Sequence, residues 1–350
     1  MSARHFAAVA ILALVAIAAA ACGGDDSPAP TSMAETGMPG VTSTAGASPT
    51  QVPSANTWRT LAPVPTPRSE VAVAELNRRI YVIGGFEEDG SPSDKVEVYD
   101  PATDSWTEAA PLPEPRHHAA AFVFVTLFVM GGFETGFDDP QSTIFQYNSA
   151  DDTWTETTSL PAPRGGLGAA DLLCDEQVFL GACIYAIGGT DADGKNIASV
   201  AFNDPNGVWL EAAPLPTPRD HLAVVVADDR IYAIGGRREI DFGRNLDANE
   251  EYDRRANAWT TRAPLPTARS GIAAVELDGR IYVFGGEGSS GTFDENEVYD
   301  PTTDKWQALP PMPTARHGLG AAVVGDTIYV IGGGPRPGLS VSGANEAFTP

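Results

Sequence analysis

The six tryptophans of this chain all sit in one repeating phrase. Trp58, Trp106, Trp154, Trp209, Trp259 and Trp306 are each followed ten residues later by an arginine: Arg68, Arg116, Arg164, Arg219, Arg269 and Arg316. Each arginine leads through a run rich in Gly, Ala and Val into an apolar strand ending in Gly-Gly, at Gly85, Gly132, Gly189, Gly236, Gly286 and Gly333. In five units an aromatic (Tyr99, Tyr147, Phe202, Tyr252 or Tyr299) stands seven residues before the next tryptophan. A recurrence near 50 residues with paired glycines marks a repeat architecture. In the first unit, residues 69–76 alternate small and apolar groups, Asn77-Arg78 turns the chain, and residues 80–83 run into Gly84-Gly85. Residues 96–99 and a segment opening at Trp106 complete four predicted antiparallel strands per unit. A sheet apolar on both faces cannot bury them alone, and radial stacking of several such sheets does so while leaving only short edges.

The phrase resembles the kelch repeat, in which each unit is one four-stranded blade of a β-propeller. The resemblance runs from about residue 57 to the C-terminus and implies an all-β, six-bladed kelch propeller. The sixth unit has Arg316, Gly332-Gly333 and a third strand around Glu346-Ala347-Phe348, but the chain stops before its tryptophan. The segment starting at Trp58 is expected to supply that missing strand, so that the last blade closes with no open edge.

Residues 1–21 carry Arg4 and then an apolar, Ala-rich stretch too short for a stable membrane span, and they read as a cleaved signal peptide. Ala19-Ala20-Ala21-Cys22 followed by Gly23-Gly24 resembles the cleavage box of bacterial lipoproteins, which implies lipid attachment at Cys22. Ala19 departs from the Leu more common there, and an Ala-x-Ala sequence also suits ordinary secretion. From residue 23 to about residue 56 the chain is dominated by Ser, Thr, Pro, Gly and Ala, with no aromatic, and cannot bury enough apolar area to offset its ordering entropy. Residues 22–56 are therefore expected to be a lipid-anchored flexible linker, with membrane contact through the lipid alone. The formal net charge of −24 repels phosphate backbones and argues against nucleic acid as a partner.

Cys174 and Cys183 both lie in the third unit, where the distance from Arg164 to the apolar strand is 20 residues rather than the 11 or 12 found elsewhere. They flank an inserted hairpin and are expected to close a cross-strand disulfide in an oxidising compartment. Two free buried thiols or a metal pair are the alternatives, and two Cys without a nearby His make a poor zinc site.

If the first strand leaves the arginine end of the ring and the second returns to it, the arginines, the Gly-Gly ends and the longer loops share one face. Those loops are residues 86–95, 133–143, 237–248 (opening at Arg237) and 287–296, and varied loops on a rigid scaffold are where binding usually resides. His117, His118, His221 and His317 all stand directly after a repeat arginine and are expected around the same mouth. A shared metal there is weighed against packing and hydrogen bonding, and the expected separation of blades favours no metal. A Glu two positions before the repeat aromatic, seen as Glu97, Glu250, Glu297 and Glu346, is the expected partner of the arginine. Phe145 and Val200 replace it in the second and third blades, making Arg116 and Arg164 the first candidates to contact an anionic ligand. Asp191-Ala192-Asp193-Gly194 has the opening of a calcium loop without its distal Glu and reads as a hairpin turn.

The expected function is an extracytoplasmic binding module, secreted or tethered to the bacterial cell membrane, that presents its arginine-side face to a protein, peptide or glycan. The alternative is a carbohydrate-active enzyme resembling the six-bladed sialic-acid mutarotases, with a loop carboxylate such as Glu87 or Glu287 moving the proton. No nucleophile with a partnered base, phosphate-cradling loop or zinc spacing emerges, so binding without catalysis and without a cofactor is the favoured expectation.

Overall fold

The computed structural model describes residues 56–174, 181–239 and 241–350. The expected leader, linker and lipidation position Cys22 lie outside these residues. Six four-stranded antiparallel sheets are arranged around one axis. Blade 1 is Ala72–Leu76, Arg79–Ile83, Val96–Asp100 and Ser105–Ala109. Blades 2 to 5 repeat the order. Blade 6 takes Gly320–Val324, Thr327–Ile331 and Asn345–Thr349 from the C-terminal end, and its outer strand is Thr57–Thr60. Trp58 pairs with Phe348, as the missing tryptophan required. Each innermost strand packs against the next, and Ala72–Leu76 meets Gly320–Val324 to complete the circle.

The residues of the repeat phrase hold neighbouring blades together. Trp106, Trp154, Trp259 and Trp306 donate their indole N–H groups to Ala62, Ala110, Ala213 and Ala263, all at 2.8–2.9 Å. The repeat tyrosine hydroxyl bonds to a turn residue, as in Tyr99–Asp104 at 2.6 Å, and Asp104 in turn accepts the backbone N–H of Ala62 at 2.8 Å. Each unit thus ties its own outer hairpin to the chain entering from the preceding blade. Blade 3 is pinned least: Phe202 has no hydroxyl, and the buried Trp209 indole N–H has no hydrogen-bond partner.

Gly-Gly lets neighbouring blades approach closely. The N–H of the second glycine donates to the carbonyl of the next blade's arginine all round the ring, from Gly85 to Arg116 (2.7 Å) through to Gly333 to Arg68 (2.8 Å). At Gly84 (φ 60°) a Cβ would lie 2.2 Å from the carbonyl oxygen of Arg116, so a side chain would push the blades apart.

The first hairpin of blade 2 turns at Val125, which is exposed with φ 63° and leaves Phe124 paired with Thr126. In blade 3 the predicted disulfide joins Cys174 to Cys183. Asp191 accepts the backbone N–H groups of Asp193 and Lys195 at 3.0 and 2.9 Å, a turn built by its own side chain.

Asp171, on the first strand of blade 3, has its carboxyl pushed up to about 6 by burial. Because the folded value lies above the unfolded one of about 3.9, its contribution is complete below that lower value and is lost as pH rises through about 6. Asp171→Asn is therefore expected to raise stability at pH 7 by about 2 kcal/mol and to have little effect at pH 4. Urea midpoints of both proteins at the two pH values test this, and parallel pH dependences would refute it.

Candidate functional site

Where each blade reaches the axis, the residue two places after the repeat arginine adopts a left-handed backbone conformation. These are Glu70, His118, Gly166, His221, Gly271 and Gly318, with φ between 50° and 64°. Their backbones form a closed hydrogen-bonded ring: Glu70 N–H to Gly318, Gly318 to Gly271, Gly271 to His221, His221 to Gly166, Gly166 to His118 and His118 to Glu70, all at 2.7–3.1 Å. Three members are glycines, for which this conformation is free of strain. Glu70, His118 and His221 hold it at a cost of about 1 kcal/mol or more each, and such strain gathers where side chains must be aimed. Gly318 leaves room for one of them, since a Cβ there would lie 2.5 Å from Glu70 Oε1.

A second tier surrounds this ring. The residue after each arginine bridges to the residue after Gly-Gly in the same blade: Ser69 to Phe86, His117 to Phe133, Gly165 to Thr190, Asp220 to Arg237, Ser270 to Glu287 and His317 to Gly334. The two tiers and the loops above them enclose a cavity of about 240 Å³ at the mouth of the channel. Its apolar lining is Phe86, Phe137, Phe242 and Leu339, and its polar lining Glu70, His118, His221, Arg237, Glu287 and His317, with Arg237 over the Phe242 ring and Phe137 beside His118.

The polar groups are locked together. Arg237 donates to Glu287 Oε1 and to His221 Nε2 at 2.7 and 2.8 Å, and His221 Nδ1 lies 2.8 Å from Asp220 Oδ1. With Arg237 as the donor at Nε2, His221 in its neutral form carries its proton on Nδ1, toward Asp220. Burial alone would raise the Asp220 carboxyl, but His221, Arg237 and the Thr190 hydroxyl hold it down to about 2. His117 stacks on Phe86 with ring centroids 3.9 Å apart, and its Nδ1 lies 2.6 Å from His118 Nδ1. Burial pushes His117 down to about 4 and His118 well below the usual imidazole range. Glu70 Oε2 is 3.2 Å from His118 Nε2, and Glu70 Oε1 is 3.2 Å from His317 Nδ1. Burial opposes ionisation of Glu70, yet its histidine neighbours carry it well below the usual carboxylate range. Burial likewise opposes charge on His317, and the adjoining Glu70 carboxylate, with the charge of Glu287, raises it above the ordinary value.

The sequence-derived candidates divide sharply. His118, His221, His317, Arg237 and Glu287 line the cavity, and His117 supports it from behind. Arg116 and Arg164 do not line it. Arg116 is 1% exposed, bonded to Glu114, Thr143 and the Pro115 carbonyl, with its guanidinium over Phe145. Arg164 is 2% exposed and bonded to the Ser199 hydroxyl and carbonyl; with burial unopposed by any carboxylate it is pushed down to about 10. Both are turned into their own blades like the other repeat arginines, so the missing glutamate does not free them for a ligand. The expected glutamate pairing holds in the other four blades: Arg68–Glu97 at 2.6 Å, Arg219–Glu250 and Arg316–Glu346 at 2.5 Å, and Arg269–Glu297. Glu87 bonds to Ser93 at 2.8 Å and lies outside the cavity lining.

Glu70, the most central carboxylate, was hidden in the sequence as a polar interruption of a strand. Alignment of the six positions two after each arginine would have exposed it beside His118 and His221. The expectation that blade separation keeps the mouth histidines apart does not hold at the axis. The hydrogen-bonded ring brings the His118 and His221 ring centroids to 4.6 Å. Two triads, Glu70–His118–His221 and Glu70–Glu287–His317, each gather metal-ligand-type atoms within 4.8 Å of one another.

Comparison with known proteins agrees with this architecture. The KLHDC2/KLHL20/DRC7 Kelch-repeats domain matches residues 174–333, and the Kelch motif matches residues 67–113. Kelch-like protein 35 of Mus musculus is 36% identical over 188 residues, covering 53% of this chain and 22% of that relative. The chain thus spans less than a quarter of that protein's length. The solved structure of YjhT superposes with a TM-score of 0.65 at 19% identity, covering 81% of this chain and 96% of that one, which is a likeness of fold. Residues 67–113 and 174–333 thus carry kelch-type repeats, within a six-bladed ring built from the Trp, Arg and Gly-Gly phrase.

Proposed function

We propose that this propeller is an extracytoplasmic binding module whose mouth cavity receives one sugar residue of a glycan. The observation that carries the reading is the cavity itself: about 240 Å³, lined by phenylalanines together with a fixed array of carboxylates, histidines and Arg237. A pyranose offers matching chemistry, C–H groups that pack on aromatic rings and hydroxyls that both donate and accept hydrogen bonds. The volume suits one ring rather than a peptide laid across the face. The signal-like residues 1–21, the lipobox-like Cys22 and the Cys174–Cys183 disulfide together support display outside the cytoplasm.

A glycan screen on the full chain, followed by calorimetry with the best ligand, tests the binding reading. Phe137 lines the cavity and is 42% exposed, so Phe137→Ala removes a stacking surface with little cost to the core. It is expected to weaken binding on the order of tenfold, equivalent to about 1.4 kcal/mol. Val125→Ser, at an exposed hairpin turn outside the cavity lining, is the control. Equal affinity of the Phe137 variant and the control, or binding of peptides but no sugars, would overturn the glycan reading.

A second reading, acid–base chemistry on the bound sugar, is favoured by the continuous His317–Glu70–His118 contact chain at 3.2 Å per step. Glu70, rather than Glu87, is then the proton-transfer group. Exchange of sugar anomers faster than the uncatalysed rate, abolished in Glu70→Gln, is its expected signature.

A further inference from the structure

We propose that Glu70, Glu287 and His317 form a binding site for one divalent transition-metal ion of the Zn²⁺ class in the mouth cavity. His317 is 1% exposed, yet among the described residues neither ring nitrogen has a hydrogen-bond partner of acceptable direction. A buried imidazole with both nitrogens unsatisfied is unusual and points to a missing partner. Its Nδ1 lies 3.2 Å from Glu70 Oε1 and 3.3 Å from Glu287 Oε2. Two ligands each about 2.0 Å from a tetrahedral ion are separated by about 3.3 Å, so these spacings are those of a coordination edge.

The opposite oxygen of each carboxylate is already held. Glu70 Oε2 faces His118 Nε2 at 3.2 Å, and Glu287 Oε1 accepts from Arg237 at 2.7 Å. The Gly338 N–H at 2.9 Å further fixes Glu287 Oε2. Such outer contacts set the direction of ligating carboxylates and sharpen metal affinity. The three ligands come from blades 1, 5 and 6, so a bound ion would also bridge the junction where the ring is closed. One imidazole with two carboxylates suits a borderline ion, and the nitrogen disfavours Mg²⁺ and Ca²⁺. The remaining coordination positions open toward the cavity. This site does not depend on the sugar reading, because its probe is the metal alone.

Tag-free full-length protein, stripped with EDTA and titrated with ZnCl₂ by calorimetry, is expected to bind one ion per chain, with no comparable binding of Mg²⁺. His317→Ala and Glu70→Gln are expected to weaken Zn²⁺ binding on the order of tenfold or more. Val125→Ser, at an exposed turn outside the cavity lining, is expected to retain it. Co²⁺ added to the unaltered protein should give visible d–d absorption that Zn²⁺ abolishes, which decides the question even if a variant fails to fold. Absence of stoichiometric Zn²⁺ and Co²⁺ binding, undiminished binding by His317→Ala, or an equal loss at Val125→Ser would each overturn the assignment.

Discussion

Deleting residues 57–62 from the otherwise intact chain is expected to lower the melting temperature by about 10 °C and to promote self-association. The missing segment is the outer strand of blade 6, paired from Thr57↔Thr349 to Thr60↔Glu346. Trp58 lies against Phe348 at 4.9 Å and Phe284 at 5.9 Å, and its indole N–H donates to the Pro310 carbonyl at 2.9 Å. Loss of a packed tryptophan alone costs about 3–5 kcal/mol, and about 1 kcal/mol moves the melting point of a domain this size by some 2–4 °C. The deletion also removes Ala62, whose carbonyl accepts from Trp106 and Asn345 and whose N–H donates to Asp104. Asn345–Thr349 would become an unprotected edge strand, a template for pairing between chains. Scanning calorimetry and sedimentation at several concentrations read both effects. A truncated protein that melts with the parent and stays monomeric would show that the terminal strand does not seal the ring.

Glu346→Ala is expected to destabilise the protein by about 3 kcal/mol or more, whereas Glu114→Ala should cost less than about 1 kcal/mol, although both glutamates pair with a repeat arginine. The difference lies in burial. Arg316 and Glu346 have side chains 0% and 3% exposed, so removing the carboxylate strands a guanidinium in the protein interior. It also removes the acceptor of the Thr314 hydroxyl, 2.7 Å away. Glu114 is 45% exposed, and Arg116 keeps Thr143, the Pro115 carbonyl and the Phe145 ring after its loss. Urea midpoints for the two variants at constant m-value measure the contrast, and equal shifts would contradict the structural role assigned to the buried pairs.

The same contrast explains which site residues could be read in advance. The Arg–Glu pairing was legible because both partners recur at fixed positions in four blades, and a recurring charge pair in a repeat is first an architectural element. Arg116 and Arg164 were singled out because their glutamate is missing, but that omission is repaired locally by Glu114 and Ser199. The compensating residues stand outside the repeat pattern, where no periodicity points to them. The histidines were legible as residues of the mouth from their place after each arginine. Their closeness was not, since it depends on six backbone segments meeting in a hydrogen-bonded ring. Glu70, Phe137 and Phe242 were missed for a related reason: each is a lone departure from its unit, and only superposed blades show that the departures line one cavity.

The sequence by itself determined the number of blades, the four-strand order within each, the closure by Trp58 and the Cys174–Cys183 crosslink. Those features follow from period, from local turn chemistry and from a strand missing at one end and spare at the other. Only the tertiary structure decided which polar residues meet at the axis, which arginines are sealed within their blades, and that Glu70 stands between His118 and His317. Repetition fixes what all blades share, because each copy must solve the same packing problem. The mouth is assembled from what the blades do not share, and circular stacking places those single differences within reach of one another.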